Sequence, residues 1–305
     1  MDKVVLAVDL GGTNIRMAAV ESDGTILHQS RQATPDNFTP DQLLDLTSEL
    51  ADECRAALAR DASVVGIAFA PPANVGFDGV LRNLPNLPLL DGFSLKDALE
   101  KKFGVPAFVE NDATAAAIGE SWLGASKDIQ NSVLVTLGTG VGGGIIIDGK
   151  ALRGPDGGAG KIGHIAVEPD GHPCGCGSRG CVEQYASATA VERMAVEAGM
   201  NVSNSREVYE AFLKGDERAV EVFQKMGRYL GMMLGGLVNA LNPEIIVIGG
   251  GAAAAWEAFY EHVRREIDFR AFPEPAKRAQ LVRSQLGDNA GILGAARTAF
   301  LQLGH

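Results

Sequence analysis

The first hydrophobic run, Val4–Val8, is short and apolar at every position, which predicts a strand buried on both faces. Gly11-Gly12-Thr13 turns the chain into a second strand at Ile15–Val20, and Ser22-Asp23-Gly24 into a third near Ile26. Between Pro40 and Arg60 the period lengthens. Leu43, Leu46, Leu50, Cys54, Ala57 and Leu58 share one helical face, which makes Cys54 a core residue. Another apolar strand, Val64–Ala70, ends at Pro71-Pro72. Ala107–Val109 follows, and Asn111-Asp112 open an Ala-rich helix that ends near Trp122. The plan then restarts. Val133–Leu137 is a strand, Gly138–Gly144 a glycine turn, Ile145–Ile147 a strand and Asp148-Gly149 a hairpin turn. Helices at about Ser187–Ala198, Ser205–Lys214 and Glu217–Leu241 lead to a strand at Ile245–Ile248. Gly249-Gly250-Gly251 and a last helix at about Ala290–Leu303 complete the pattern. Two halves with the same opening order predict a duplicated α/β unit.

Composition narrows the class. A chain of 305 residues, 46% hydrophobic and 21% charged, has the length for two domains and the apolar content for a large core, which excludes a mostly disordered protein. The net charge of −11 and an aromatic content of only 6% argue against a nucleic-acid partner. Five apolar residues before Asp9 are too few for a signal peptide, and the apolar stretch Tyr229–Trp256 is broken by Asn239, Asn242, Pro243 and Glu244, so no membrane span is expected. Four cysteines, three of them clustered, do not form a disulfide framework, and a cytoplasmic location is expected. Glycine stands out at 38 residues, about 12% against an average near 7%.

The glycines matter through their context. Gly138-Thr139-Gly140-Val141-Gly142-Gly143 satisfies GxGxxG, but it opens into a strand where a dinucleotide site needs a helix. Residues 155–162 approach a P-loop at Gly160-Lys161, yet Pro155 replaces its first glycine and Ile162 its Ser/Thr. What remains is a pair of glycine turns, Asp9–Thr13 and Gly138–Gly144, at matching places in the two halves. Backbone N–H groups without Cβ hindrance, with the hydroxyls of Thr13 and Thr139, can hold a polyphosphate; the alternative is two ligand-free hairpins. Asp9, an acid ending a buried strand, is costly unless it orients Mg²⁺ or a lysine. Asp112, at a strand–helix corner, suits either a helix N-cap or a general base. Asn83 and Asn86, in a Pro-rich loop, are weaker candidates for polar ligand contacts. Cys174, Cys176 and Cys181 are spaced for chelation, and either His172 or His164 could be the fourth ligand of a closed, structural zinc site.

Together these features resemble the superfamily of sugar kinases, heat-shock ATPases and actin. Within it they resemble the ROK family (repressors, uncharacterised reading frames and kinases), its glucokinases in particular. The carriers are Val8-Asp9-Leu10-Gly11-Gly12-Thr13-Asn14, Glu110-Asn111-Asp112-Ala113, Leu137 to Gly144 and the cysteine segment. The resemblance implies an actin-like, ribonuclease H-like α/β fold with two domains flanking a cleft that closes on sugar. Residues 1–115, with the helix at about 290–305 packed back on them, would form the smaller domain, and residues 116–289 the larger one with the zinc loop. It implies ATP and Mg²⁺ at Asp9, Gly11, Gly12, Thr13, Gly138, Thr139 and Gly140, with Gly250 and Gly251 on the adenosine side. It makes Asn111 a sugar ligand and Asp112 the general base. It chooses His164 for zinc and for supporting the sugar, and Glu183 for binding sugar hydroxyls; Asn86, by its place in the loop alone, is a further candidate contact. A homodimer or homotetramer is implied.

One position departs from the pattern: Lys161 stands where the family usually carries a sugar-binding Glu, and an ammonium donates where a carboxylate accepts. The expected activity is ATP-dependent phosphorylation of a hexose, glucose first, with mannose, fructose, allose or N-acetylmannosamine as alternatives and polyphosphate as an alternative donor. A sugar-sensing repressor of the same family is the rival reading. It is disfavoured because only eight residues precede Asp9, too few for a helix-turn-helix domain. A non-catalytic sugar-binding module is a further rival.

Overall fold

The computed structural model describes residues 3–35, 37–60, 62–82, 84 and 87–305. The chain divides into two compact units, one of residues 1–128, 150–159 and 288–305, the other of residues 129–149 and 160–287.

Unit 1 opens with β1 (Lys3–Leu10), β2 (Asn14–Glu21), β3 (Ile26–Ala33), α1 (Pro40–Ala56) and β4 (Ser63–Ala70). The short pair β5 (Asn74–Val75) and β6 (Leu81–Arg82) precedes α2 (Leu95–Phe103), β7 (Ala107–Val109) and α3 (Asp112–Leu123). Its sheet runs β3-β2-β1-β4-β7, with β1 antiparallel to β2 and parallel to β4. Val4 to Val8 are fully buried because β1 is central and covered on both faces. The strand is longer than its apolar run: Asp9 and Leu10 belong to it, and Asp9 lies opposite Arg16 on β2. Helix α1 starts at a capping box in which Thr39 and Gln42 bond reciprocally, and it buries Cys54.

Unit 2 repeats the plan with β8 (Ser132–Leu137) and β9 (Val141–Ile147). After the short strand β10 (Lys150–Ala151), which belongs to unit 1, come α4 (Glu183–Ala186), α5 (Ala188–Glu197), α6 (Ser205–Leu213), α7 (Glu217–Leu241) and β11 (Ile245–Gly249). Helices α8 (Trp256–Arg270) and α9 (Pro273–Arg278) precede β12 (Gln280–Arg283). Its strands run β9-β8-β11-β12, with β8 antiparallel to β9 and parallel to β11, the order seen for β2-β1-β4-β7. Asp148 and Gly149 both adopt positive φ and make the tight hairpin turn after β9. One expectation needs correction. The glycine turn is confined to Gly138–Gly140, and Gly142 to Gly144 are strand residues paired with Thr136 to Leu134. Gly143 is required there because a Cβ would overlap the side chain of Ile162.

Each unit has its own core, with Val4, Leu6, Leu43, Leu50 and Phe69 in the first and Val133, Val135, Phe223, Leu234 and Phe259 in the second. The chain returns to unit 1 as α10 (Ala290–Leu303), which packs on α3 and β1. Small residues make this approach possible: a Cβ on Gly294 would overlap the Ala115 carbonyl. No helix among the described residues is long and apolar enough to cross a membrane.

Candidate active site

In unit 1 two chain segments carry the candidate chemistry. At the end of β1, the guanidinium of Arg16 donates to Asp9 Oδ2. Burial raises the pKa of Asp9 above the usual carboxylate value, with Arg16 pulling the other way. The adjoining turn is tied by Gly11 N–H to Asn14 C=O at 2.9 Å and by Thr34 Oγ1 to Gly11 C=O at 2.8 Å. At Gly12 a Cβ would meet nothing within 4 Å, so packing does not dictate a glycine there.

The second segment is the corner between β7 and α3. Asn111, not Asp112, is the N-cap: its Oδ1 accepts the Thr114 N–H at 3.1 Å. That bond orients the amide, whose Nδ2 donates to Ala73 C=O at 3.1 Å and to Asp112 Oδ1 at 2.8 Å. Asp112 takes the first helical position. Its Oδ1 also accepts the Ala113 N–H at 2.8 Å, and its own N–H donates to Pro71 C=O at 3.0 Å. The corner therefore presents a half-buried carboxylate from a fixed backbone. Two neighbours went unrecognised in the sequence. Glu110 accepts Arg153 Nε at 2.7 Å and is buried, and Arg16 faces Asp9. Only strand register could have flagged Arg16, and nothing short of tertiary structure flags Arg153. Asn83 and Asn86 lie outside the described residues.

In unit 2 the turn Gly138–Gly140 closes with Gly138 N–H on Gly140 C=O at 3.0 Å, and Gly138, like Gly12, has open space where a Cβ would go. Gly250 is different. Its φ is +82°, and a Cβ would lie 2.5 Å from Leu137 O, so the fold itself demands glycine. This contact seats the Gly249–Gly251 turn beside the start of the Gly138 loop. Glu183, at the start of α4, accepts the Val141 N–H through Oε2 at 3.0 Å, while Cys174 Sγ lies 3.8 Å from its Oε1. It thus stands between the glycine turn and the cysteine loop.

That loop brings His164, Cys174, Cys176 and Cys181 together, with one ligand atom of each within 4.8 Å of all the others. Cys176 Sγ and Cys181 Sγ are 3.6 Å apart, and Cys174 Sγ is 3.6 Å from His164 Nδ1. Tetrahedral zinc with Zn–S bonds of 2.3 Å holds its sulfurs roughly 3.8 Å apart. Burial pushes the Cys181 thiol up to about 12, whereas the Ser178 backbone draws Cys176 down. His172 is outside the cluster; Arg193 donates to its Nε2 at 2.8 Å. Lys161 is half-buried immediately before the short 3-10 turn Ile162–His164.

Two sheets of matching strand order, each opening on a strand–glycine turn–strand, define the duplicated actin-like ATPase fold. Residues 5–300 match the ROK family, and the chain belongs to it. It is 36% identical to a glucokinase of Halalkalibacterium halodurans, over 96% of this chain and 94% of that protein. A ROK hexokinase from Thermus thermophilus superposes with a TM-score of 0.85 at 34% identity, covering 99% of each chain. A ROK glucokinase from Streptomyces griseus, solved with glucose and AMPPNP, gives a TM-score of 0.83 at 33% identity, over 96% of this chain and 98% of that one.

Proposed function

We propose that this protein is a cytoplasmic, ATP-dependent hexose kinase that converts glucose to glucose 6-phosphate. The observation that carries the reading is the Asn111–Asp112 corner. A carboxylate held by Asn111 Nδ2 and a helix N–H is fixed and oriented as a general base must be, and membership of the ROK family supports a sugar hydroxyl as its partner. As the 6-oxygen attacks the γ-phosphorus, its proton passes to Asp112, the new O–P bond forms and the bond to ADP breaks.

The glycine turns support the donor site. Backbone amides at Gly12 and Gly138 stand where a side chain would fit but is absent, which is what a phosphate approaching the main chain requires. In this reading Asp9, Gly11, Gly12, Thr13, Gly138, Thr139, Gly140 and Gly251 hold the nucleotide, and Gly250 shapes their turn. Asp9 is an oxygen donor that fits Mg²⁺, which when bound neutralises phosphate charge. Asn111, His164 and Glu183 hold the sugar, with Asn86 as a further contact. Three thiols and an imidazole at mutual ligand distances fit zinc in a closed site, so the metal orders the loop bearing His164 and does not take part in the chemistry. His164 Nδ1 faces the cysteines, which leaves the far edge of its ring for the sugar. The chain assembles as a homodimer or homotetramer.

The test is phosphorylation of glucose, mannose, fructose, allose and N-acetylmannosamine, followed by coupled ADP release with ATP and by direct measurement of the sugar phosphate with polyphosphate. Turnover of glucose with ATP is expected. Absence of turnover with every hexose rejects the enzyme class, and full activity of Asp112→Ala rejects the base.

A further inference from the structure

The corner presenting Asp112 rests on a buried carboxylate that general-base chemistry alone does not explain. Glu110 directly precedes Asn111, and its side chain is only 10% exposed. Its Oε1 accepts the Asn111 N–H at 3.2 Å, and its Oε2 accepts Arg153 Nε at 2.7 Å. Its own N–H is fixed to Phe69 C=O at 3.0 Å. Taking a carboxylate out of water costs several kcal/mol unless a cation and further hydrogen bonds compensate it. Glu110 has both.

The cation comes from far along the chain. Arg153 belongs to residues 150–159, the middle segment of unit 1, in which β10 packs on α3. Its carbonyl accepts the Ala159 N–H at 3.2 Å. Gly157 in the same segment lies so close to Val75 C=O that a Cβ would overlap it. The guanidinium therefore arrives on an anchored piece of backbone.

We infer that Arg153 is a positioning residue for phosphoryl transfer, acting through Glu110 and Asn111 on Asp112. The relay is a series of short bonds. Arg153 holds Glu110 Oε2, Glu110 Oε1 holds the Asn111 backbone, and Asn111 Nδ2 holds Asp112 Oδ1 at 2.8 Å. The inference rests on the reading of Asp112 as general base. It adds that the base is aimed from outside its own helix.

The burial of the two partners makes the relay testable by its asymmetry. Arg153 is 35% exposed and Glu110 only 10%. Loss of Arg153 takes the guanidinium away from a buried carboxylate beside the corner, whereas loss of the Glu110 charge leaves a guanidinium that water can reach. Glu110→Gln also retains an oxygen for the Asn111 N–H. Because Arg153 reaches Glu110 Oε2 through Nε, a single contact and not a two-pronged fork, a lysine at 153 can supply the charge in its place.

The experiment measures kcat, KM for glucose, KM for ATP and Tm for the full-length wild type, Arg153→Met, Arg153→Lys, Glu110→Gln and the Glu110→Gln/Arg153→Met double variant. Arg153→Met is expected to lose about 10- to 100-fold in kcat with KM for ATP unchanged, the cost of a base displaced by an ångström or less. Arg153→Lys and the double variant are expected to recover most of that loss. A folded Arg153→Met with wild-type kcat overturns the inference, as does a double variant as slow as Arg153→Met. If Arg153→Met does not fold, Arg153→Lys and the double variant are compared with wild type, and a loss of about 10-fold or more in kcat in either one overturns the inference. A wild type without hexose turnover overturns the kinase reading and this one with it. An active wild type with a fully active Arg153→Met overturns only this one.

Discussion

Gly12 and Gly250 offer a sharp contrast, because the same substitution should damage a different property at each. At Gly250 an alanine must adopt φ +82°, which costs an L-residue about 1–2 kcal/mol. Its Cβ would also lie 2.5 Å from Leu137 O and 2.6 Å from Leu137 N, against backbone that cannot rotate away. Overpacking of this kind costs about 1–3 kcal/mol. The sum is about 2–5 kcal/mol, and at about 2–4 °C per kcal/mol for a domain of this size Tm should fall by roughly 4–20 °C. At Gly12 the Cβ enters open space, and loss of unfolded-state freedom favours the folded chain slightly. Gly12→Ala should therefore keep or raise Tm. If Gly12 approaches a phosphate, the methyl group costs one charge-assisted hydrogen bond, about 1.5–3 kcal/mol, or roughly a 10- to 100-fold rise in KM for ATP. Differential scanning fluorimetry and initial rates over an ATP series measure the two effects. A Gly12→Ala protein with wild-type KM, or one destabilised as much as Gly250→Ala, would refute the division of these glycines into ligand-facing and fold-required.

Further outcomes follow from the other groups. Asp112→Asn keeps the shape of the corner but cannot take a proton, so kcat should drop by about 100- to 10,000-fold in the coupled assay while Tm holds. Metal analysis should find zinc in stoichiometric amount, and Cys181→Ser should lose it and lower Tm; a metal-free wild type with an unchanged melting curve sinks the site. Asp9 carries a pH prediction. Its folded pKa is raised, so its contribution to stability is present at low pH and is lost as pH rises through that value. Asp9→Asn should therefore melt higher than wild type at pH 7.5, with the gap closing as the pH falls, and should be inactive. A lower melting point at neutral pH contradicts the sign.

Much of the framework could be read directly from the chain. Strands β1, β4 and β8 are near-continuous apolar runs, and helix α7 keeps its period over all of Glu217–Leu241. Helix α8 was missed although Ala258, Phe259, Val263 and Ile267 are buried at helical spacing, because four alanines and a 3-10 turn blur its start. The glycines of β9 looked like a turn because composition does not distinguish a bend from a strand lying tight against Ile162. At the site, motif order located Asp112, yet the residues bonded to its corner were invisible. The Ala73 carbonyl is a backbone atom with no signature in side-chain chemistry. Arg153 is separated from Glu110 by more than forty positions and looks like any surface cation. The fourth partner of the cysteines was ambiguous for the same reason. His172 is nearer in sequence, but folding hands its ring to Arg193 and leaves His164 beside the thiols.

Helix α10 has an implication for biosynthesis. Its Gly291 lies so near Asp9 that a Cβ there would sit 2.9 Å from Asp9 Oδ1, and its Gly294 is pressed against α3, the helix that begins with Asp112. These residues leave the ribosome only after the whole of residues 160–287 has been made. A nascent chain can therefore lay down β1 to α3 early, but the surroundings of both acids stay unfinished until the last helix docks. Nucleotide binding by chains stalled before residue 290 should be weak even where unit 2 is already folded. Competence to bind ATP would then report that α10 has been made and docked.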